Sequence, residues 1–147
     1  MKASAAHEVE IAATAAQCFA ILVDVPGYPA WWPGLSSAEV LRPGDEPEIR
    51  LVFAPPMVGD IDLLLRLHPE PPTHVGLTLL GGRLKRLEGP GWTLRDEGSG
   101  RCRVRYEIEA EMDTGLPGFL ERSFASQAGR FLVAEPVEAL KRRAEAG

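Results

Sequence analysis

The sequence has few cysteines, no long hydrophobic run and no excess of positive charge. Its two cysteines, Cys18 and Cys102, lie far apart and form no C-x-x-C motif, which is typical of two small core thiols in a reducing compartment. The most apolar stretch, residues 11–23, is shorter than the roughly 20 residues that a membrane-spanning helix needs. Charged residues near the N-terminus interrupt any secretory signal. We therefore expect a cytoplasmic protein with no integral membrane contact.

The balance of charge argues against a nucleic-acid partner. There are 16 Lys and Arg residues against 21 Asp and Glu residues, a formal net charge of −5. Binding to phosphate groups needs a basic face, and the nearest candidate is the short cluster Arg83, Lys85 and Arg86. That cluster has no interleaved aromatic residues, so we interpret it as the solvated face of a strand.

Motifs for metal, cofactor and covalent catalysis are missing as well. The three histidines, His7, His68 and His74, show no ligand spacing such as H-x-x-x-H. There is no G-x-S-x-G motif and no glycine-rich phosphate loop. Asp60 and Asp62 form one apparent carboxylate pair, but strand alternation places both on the wet face. We expect no metal, no cofactor and no assignable catalytic residue.

What the chain does contain suits one globular domain, residues 1–147, because 45% of its residues are hydrophobic and 25% are charged. Alternation of polar and apolar residues predicts a first strand at residues 7–11. Further strands are predicted at 37–41, 48–54, 59–68, 74–80 and 83–96, with a bulge at Gly89-Pro90-Gly91. The clearest signal is Arg101–Met112, where charged and apolar residues alternate without a break, as in a long antiparallel strand with one dry face.

Helical signals occur at both ends of the predicted sheet. Thr14 and Gln17 form a capping box that opens a helix, and Pro26-Gly27 ends it. Residues 28–34 are too rich in proline for more than one short helical turn. Near the C-terminus, residues 117–145 have helical periodicity, with a kink expected at Pro136. The apolar stripe of this last helix is formed by Leu120, Phe124, Gln127, Phe131 and Leu140, widened by Phe119, Ala128 and Leu132.

The dry faces of the strands offer about two dozen apolar side chains, which is more than one amphipathic helix and a short helical pair can readily cover. A long, twisted sheet curls around the helix that packs on it, so an internal cavity can remain. This mismatch is the basis of our hypothesis of a ligand-binding interior.

Four segments resemble the START-like (SRPBCC) helix-grip superfamily, and most of all its polyketide cyclase/dehydrase and coenzyme Q-binding branch. They are residues 9–13, 28–34, 91–94 and 140–143, and the resemblance extends over nearly the whole chain. It implies an α+β helix-grip fold, in which a curved antiparallel sheet of about seven strands wraps around a long C-terminal α-helix, with two short helices between strands 1 and 2. Because the superfamily hosts unrelated activities, its fold predicts function only weakly.

The function expected from these observations is the binding or carriage of a small hydrophobic molecule such as a lipid, an isoprenoid quinone or an aromatic polyketide. The residues predicted to contact the ligand are large apolar or aromatic side chains on the dry faces: Trp31, Trp32, Phe53, Leu63, Leu65, Leu77, Trp92, Tyr106, Phe124 and Phe131. Taken individually, the strand and helix side chains of this set fit core packing better than ligand contact. For the Trp31 and Trp32 pair, one side chain is expected to pack on the sheet and the other to contact the ligand.

Two alternatives remain open at this level. The first is a polyketide cyclase or dehydratase, for which Tyr106 is the one inward acid–base group. A phenol with an ordinary pKa of about 10 is a fair hydrogen-bond donor and a poor base at neutral pH. The second is a protein-interaction module. The sequence does not specify the oligomeric state.

Overall fold

A seven-stranded antiparallel sheet forms most of the structure, a computed structural model that describes residues 1–147. Its strands are β1 (Lys2–Ile11), β2 (Leu35–Arg42), β3 (Glu48–Phe53), β4 (Ile61–Glu70), β5 (His74–Gly82), β6 (Leu84–Gly98) and β7 (Arg101–Met112). Their order across the sheet is β1-β7-β6-β5-β4-β3-β2. A long helix follows the last strand, and two short helices connect β1 to β2. The predicted helix-grip architecture is therefore confirmed.

The long strand β7, second in the sheet, has the bounds that its alternation predicts, Arg101–Met112. Its even-numbered residues are buried and its odd-numbered residues face outward. On one side it pairs with β1 and on the other with β6. β1 begins at Lys2 and not at residue 7, because β7 is long enough to pair with all ten of its residues. The alanines that alternate in this added segment are too weakly apolar to signal a strand.

The first helix, α1 (Ala15–Val23), begins at the predicted capping box. The Thr14 hydroxyl accepts a hydrogen bond from the Gln17 N–H at 3.1 Å, and the Gln17 side chain accepts one from the Thr14 N–H at 2.8 Å. After α1 the chain enters a 3₁₀ helix, Val25–Ala30. The short helical turn therefore begins three residues before the predicted segment. Pro26 lies in its first turn, where the backbone N–H groups have no partner within the helix, so the N–H that proline lacks is not needed.

The bulge predicted in β6 is present, as a register shift between Glu88 and Gly91. Gly91 has φ +79°, and a Cβ there would lie 2.5 Å from the Val75 carbonyl oxygen. Beside this bulge, β5 and β6 pair only at His74↔Thr93 and Val75↔Trp92. The rest of the hairpin diverges and leaves a gap of about 420 Å³. The sheet is therefore partly open between these two strands.

The C-terminal helix has three parts: α2 (Gly118–Gly129), a π-helical turn (Arg130–Ala134) and α3 (Glu135–Ala146). The Glu135 N–H donates to the Arg130 carbonyl, five residues back. The irregularity expected at Pro136 thus lies in the turn directly before it. Since a proline has no N–H and crowds the preceding turn, a widened turn there accommodates its ring.

This π-helical turn changes which side chains the helix buries. In α3 and the turn, Val133, Val137 and Leu140 are fully or almost fully buried. In α2 only Ala128 is buried. The predicted stripe is wrong at two α2 positions, because Gln127 is exposed and Phe119 is 66% exposed. A regular 3.6-residue period does not continue through a π-helical turn. A single apolar stripe therefore cannot describe the buried faces of both α2 and α3.

The core lies between the sheet and the helices as one cluster of 27 buried residues. Ile11, Leu94 and Val104 of the sheet and Leu22 of α1 are among its least accessible members. No helix is long and apolar enough to cross a membrane.

Candidate ligand-binding cavity

An apolar cavity of about 60 Å³ lies inside the fold, between the inner face of the sheet, the 3₁₀ segment and the C-terminal helix. All 18 residues that line it are hydrophobic: Tyr28, Trp32, Ile49, Leu51, Phe53, Ile61, Leu63, Leu65, Leu67, Val75, Leu77, Leu84, Leu87, Trp92, Tyr106, Ile108, Phe131 and Leu132. The strands contribute these side chains by simple alternation, as in β4, where every second residue from Ile61 to Leu67 faces inward.

An aromatic cluster forms one part of the wall. Trp92 and Tyr106 are direct partners on β6 and β7, and their rings are stacked with centroids 4.1 Å apart and planes at 7°. Trp32 meets both rings edge-on, at 6.1 Å from Trp92 and 6.5 Å from Tyr106. Such edge-to-face and stacked contacts are the favoured geometries of aromatic side chains. The cluster therefore holds the Tyr106 ring in one orientation.

The two tyrosines of the cavity differ in what their hydroxyl groups contact. The Tyr28 hydroxyl donates a hydrogen bond to the Leu22 carbonyl. No protein group forms a hydrogen bond with the Tyr106 hydroxyl, although the residue is only 4% exposed. Burial raises the pKa of both phenols above the ordinary value, so both remain neutral at physiological pH. Tyr106 thus provides a neutral hydroxyl without a protein partner in a wall of hydrophobic residues.

Phe131 separates this cavity from a larger opening at the surface, which we call the outer groove. The outer groove has a volume of about 550 Å³. It lies between the segment after β3 and the C-terminal helix, and it is lined by Gly34, Ala54, Pro55, Pro56, Met57, Ser123, Phe124, Gln127, Ala128, Arg130, Phe131 and Glu135. Phe131 belongs to both linings, so its side chain stands between the two spaces.

The position of the Phe131 ring depends on a glycine. A Cβ on Gly34 would lie 2.9 Å from Phe131 Cε2, closer than van der Waals contact allows. On its other side the ring packs edge-on against Phe53, with centroids 6.0 Å apart. Phe131 is only half-buried and lies in the π-helical turn. These contacts position its ring between the cavity and the groove.

The structure brings together eight of the residues predicted to contact a ligand: Trp32, Phe53, Leu63, Leu65, Leu77, Trp92, Tyr106 and Phe131 all line the cavity. Two do not line it. Trp31 is half-buried and packs against Tyr28 and Trp32 from outside, with ring centroids 5.7 and 5.5 Å away. Phe124 lines the outer groove and a separate apolar cavity of about 30 Å³ beside the sheet.

Ten lining residues were not among the predicted ligand contacts. Six of them lie on strand faces that alternation identifies as apolar: Ile49, Leu51, Ile61, Leu67, Val75 and Ile108. Tyr28 and Leu132 are two of the other four. The sequence places Tyr28 only in a proline-rich turn, and its burial depends on where the 3₁₀ helix packs. Leu132 lies in the π-helical turn, where the helical period is broken. Leu84 and Leu87 were also missed, because β6 diverges from β5 beside them.

No acidic, basic or histidine side chain lines the cavity, and Asp62 lies outside it as alternation predicts. Arg50 contacts Asp62 at 2.6 Å and holds the pKa of that carboxyl below its usual value through this hydrogen bond. Each histidine also contacts a carboxylate near the surface. The pairs are His7 with Glu138, His68 with Glu46, and His74 with Glu70.

Comparison with known proteins agrees with this architecture. Residues 2–145 match the family model described as "Polyketide cyclase / dehydrase and lipid transport". No protein of curated function matches the chain by sequence.

Several solved structures share the fold. TTHA0849 from Thermus thermophilus is similar at 20% identity, with 97% of each chain covered and a TM-score of 0.83. The Zhui aromatase/cyclase from Streptomyces sp. R1128 is similar at 18% identity, with 99% of this chain and 94% of that one covered and a TM-score of 0.80. A STAR-related lipid transfer protein from Xanthomonas axonopodis has 20% identity, with 95% of this chain and 84% of that one covered and a TM-score of 0.76.

At identities this low, the structural similarity shows a common fold and no more. The family is shown by the family model, which matches almost the whole sequence. The chain therefore belongs to the polyketide cyclase/dehydrase and lipid transport family of START-like proteins.

Proposed function

We propose that this protein binds a small hydrophobic molecule, such as a lipid, an isoprenoid quinone or an aromatic polyketide, between its sheet and its C-terminal helix. The observation that carries the proposal is the composition of the cavity, whose 18 lining residues are all hydrophobic. Such a wall binds a ligand by excluding water from its apolar surface. The names of similar structures, a lipid transfer protein and an aromatase/cyclase, support the same class of ligand.

The volume of the cavity implies that the ligand changes the structure on entry. Sites for small molecules have volumes of about 300–1,000 Å³. The cavity holds about 60 Å³, whereas the outer groove beyond Phe131 holds about 550 Å³. A rotation of the Phe131 ring would join the two spaces into one site of ordinary size. We infer that Phe131 moves aside when a ligand binds.

Tyr106 would orient the ligand inside this site. Its hydroxyl group is neutral and has no protein partner, so it can donate a hydrogen bond to a carbonyl or hydroxyl oxygen of the ligand. One such bond in an apolar wall selects a direction of binding without adding a charge. The proposal therefore favours ligands with an oxygen acceptor over pure hydrocarbons.

Native mass spectrometry of the purified protein, followed by solvent extraction, tests the proposal directly. The protein is then titrated with three defined probes: a fatty acid, a short-chain ubiquinone and a hydroxylated anthraquinone. Binding is measured as quenching of the tryptophan fluorescence. We expect a co-purifying mass or saturable binding of at least one probe. The absence of any bound apolar compound across the panel would overturn the proposal.

Two tryptophan substitutions on β5 make the test specific to the interior. Leu77→Trp fills the cavity, because Leu77 lines it. Leu80→Trp adds the same side chain to the same strand at a position that is 44% exposed and lines no cavity described above. Binding lost in Leu77→Trp and retained in Leu80→Trp would locate the ligand inside the fold. Equal binding by both variants would place the ligand elsewhere.

A cyclase or dehydratase activity is the second candidate, favoured by the neutral Tyr106 hydroxyl in a dry site. Since burial raises the pKa of this phenol, it can act as a hydrogen-bond donor or weak acid and not as a base at neutral pH. Incubation with a poly-β-keto substrate mimic tests this candidate. Turnover that is lost in Tyr106→Phe would support it, whereas unchanged turnover in that variant would remove Tyr106 from the reaction.

We also propose a cytoplasmic location. The support is the low cysteine content, with both thiols free and buried, which suits a reducing compartment.

A further inference from the structure

The chain's two cysteines are neighbours in the fold although they lie 84 residues apart in the sequence. Cys18 lies on α1 and Cys102 at the start of β7. Their Sγ atoms are 3.6 Å apart, and both residues are 0% exposed. With no third cysteine in the chain, each thiol has one possible intramolecular partner. The sequence spacing alone contains no signal of this contact.

The surroundings of the pair keep it reduced in the resting protein. Burial raises the pKa of both thiols, so few thiolates form at neutral pH. α1 has only nine residues. At its first residue, the Ala15 N–H donates a hydrogen bond to the Asp96 carboxylate at 2.9 Å, which is a contact to β6 that must break when α1 opens. A short helix at the surface opens locally more easily than a central strand does. Such an opening would admit a small oxidant to the sulfur atoms.

We propose that Cys18 and Cys102 form a redox modification site, at which a peroxide converts the two thiols into a disulfide between α1 and β7. In the first step one sulfur attacks the peroxide, becomes a sulfenic acid and releases water. In the second step the other sulfur displaces the hydroxyl group as water, and the S–S bond forms. Two thiols are oxidised and one hydrogen peroxide is reduced to two water molecules.

The disulfide would join α1, which holds one lining residue of the cavity through a hydrogen bond, to β7. α1 carries Leu22, whose carbonyl accepts the hydrogen bond of the Tyr28 hydroxyl, and Tyr28 lines the cavity. The bond would also close a loop of more than 80 residues and so restrict the unfolded chain. Oxidation should therefore raise the thermal midpoint by an amount of order 10 °C.

The experiment treats the folded wild-type protein with hydrogen peroxide and measures its intact mass without reducing agent. We expect a loss of about 2 Da, restored by dithiothreitol, with a linked pair of Cys18 and Cys102 peptides after digestion. The thermal midpoint of the oxidised protein should rise and return on reduction. None of these readouts depends on ligand binding, so the result is separable from the proposed function.

Cys18→Ala and Cys102→Ala are the matched controls, with Cys18→Ser as a second variant if an alanine variant is poorly folded by circular dichroism. We expect the controls to show no loss of 2 Da and no reversible rise in thermal midpoint. The proposal is overturned if the wild-type protein stays reduced, gains oxygen on a single sulfur without crosslinking, or forms a disulfide only between two molecules or only when unfolded by urea.

Discussion

The ring of Tyr106 is stacked on the indole of Trp92, 4.1 Å away and within 7° of parallel, and the two residues are direct partners on neighbouring strands. The strand register and the stack hold the phenol ring in place. Its hydroxyl group is therefore oriented by the protein before any ligand arrives. Preorganisation of this kind reduces the entropy that binding would otherwise lose.

The first prediction concerns that hydroxyl. Tyr106→Phe keeps the stacked ring and removes a group that has no protein partner, so its free energy of unfolding should change by less than about 1 kcal/mol. Affinity for a ligand with an oxygen acceptor should fall by about 3- to 10-fold, with no change for a hydrocarbon of the same shape. Urea denaturation and fluorescence titration measure the two effects.

Tyr28→Phe is the control for this prediction. Its hydroxyl donates to the buried Leu22 carbonyl, so removing it should cost about 1 kcal/mol of stability. If Tyr106→Phe proved the more destabilising of the two, the Tyr106 hydroxyl would have an unrecognised partner within the protein.

The second prediction concerns the passage between the cavity and the outer groove. Phe131→Ala should raise the association rate constant of a bulky probe severalfold, because the ring that separates the two spaces is removed. A small probe should be affected less. Stopped-flow fluorescence measures both rates. Phe119→Ala removes a ring from the same long helix at a position that is 66% exposed, and it should leave them unchanged. Equal acceleration in the two variants would argue against a role for Phe131.

The third prediction concerns the bulge in β6. Gly91→Ala introduces a Cβ 2.5 Å from the Val75 carbonyl oxygen, and Val75 forms one of the two residue pairs between β5 and β6. Gly100→Ala is matched in backbone conformation, with φ +73°, and has open space around its Cβ. The left-handed conformation alone should cost about 1–2 kcal/mol in both variants.

The collision should make Gly91→Ala at least about 2 kcal/mol less stable than Gly100→Ala in urea denaturation. Similar losses in the two variants would mean that the close approach to Val75 is relieved at little cost.

The fourth prediction concerns the start of α1. Thr14→Ala removes the side chain that accepts the Gln17 N–H, so the free energy of unfolding should fall by about 1 kcal/mol. Thr14→Ser retains the acceptor and should lose only a small part of that amount. Thermal denaturation of the three proteins provides the comparison, and equal stability of all three would show that solvent replaces the cap.

The fifth prediction concerns pH. The Ala12 N–H donates to the Glu145 carboxylate at 2.9 Å and the Lys141 ammonium lies 3.0 Å from it, and these contacts lower the pKa of Glu145. Because the pKa is lower in the folded protein, the stabilisation is complete above the ordinary glutamate pKa of about 4.3 and disappears as the pH falls through the folded-state value.

Glu145→Gln should therefore be slightly less stable than the wild type at pH 7, and the difference should diminish on acidification. Urea denaturation at pH 7, 5 and 3 measures it. A difference that stays constant with pH would show that the ionised form of Glu145 has no special role.

Strand alternation explains why much of the architecture was predictable from sequence. In β7 each residue faces a wet or a dry side, and the pattern continues without exception from Arg101 to Met112. In β1 the same rule holds, but Ala3 and Ala5 carry too little hydrophobicity to reveal it. The strand was therefore predicted at half its length. Its missing half is stabilised by pairing with β7, which local sequence does not encode.

The cavity was predictable where strands form it and less so where helices do. The alternation of polar and apolar residues in β4 correctly identified Leu63 and Leu65 as inward-facing residues. Phe124 packs against the core as its stripe predicts, but it lines the outer groove and not the cavity, a distinction that helical periodicity does not contain. The contact between Cys18 and Cys102 depends on how α1 packs against the sheet, and no local pattern reports such a distant approach.

The π-helical turn Arg130–Ala134 also affects how the C-terminal helix tolerates a change in its length. Each residue of an α-helix advances the chain by about 100° around the axis. The π-helical turn holds one residue more than an α-helical turn, because its hydrogen bond runs from the Glu135 N–H to the carbonyl five residues back. Loss of one residue in this turn would therefore leave a regular α-helix with Val137 and Leu140 still against the sheet, whereas loss of one residue from a regular α-helix rotates everything after it by that angle. Natural length variation of one residue at this place would thus keep the same helical face against the sheet.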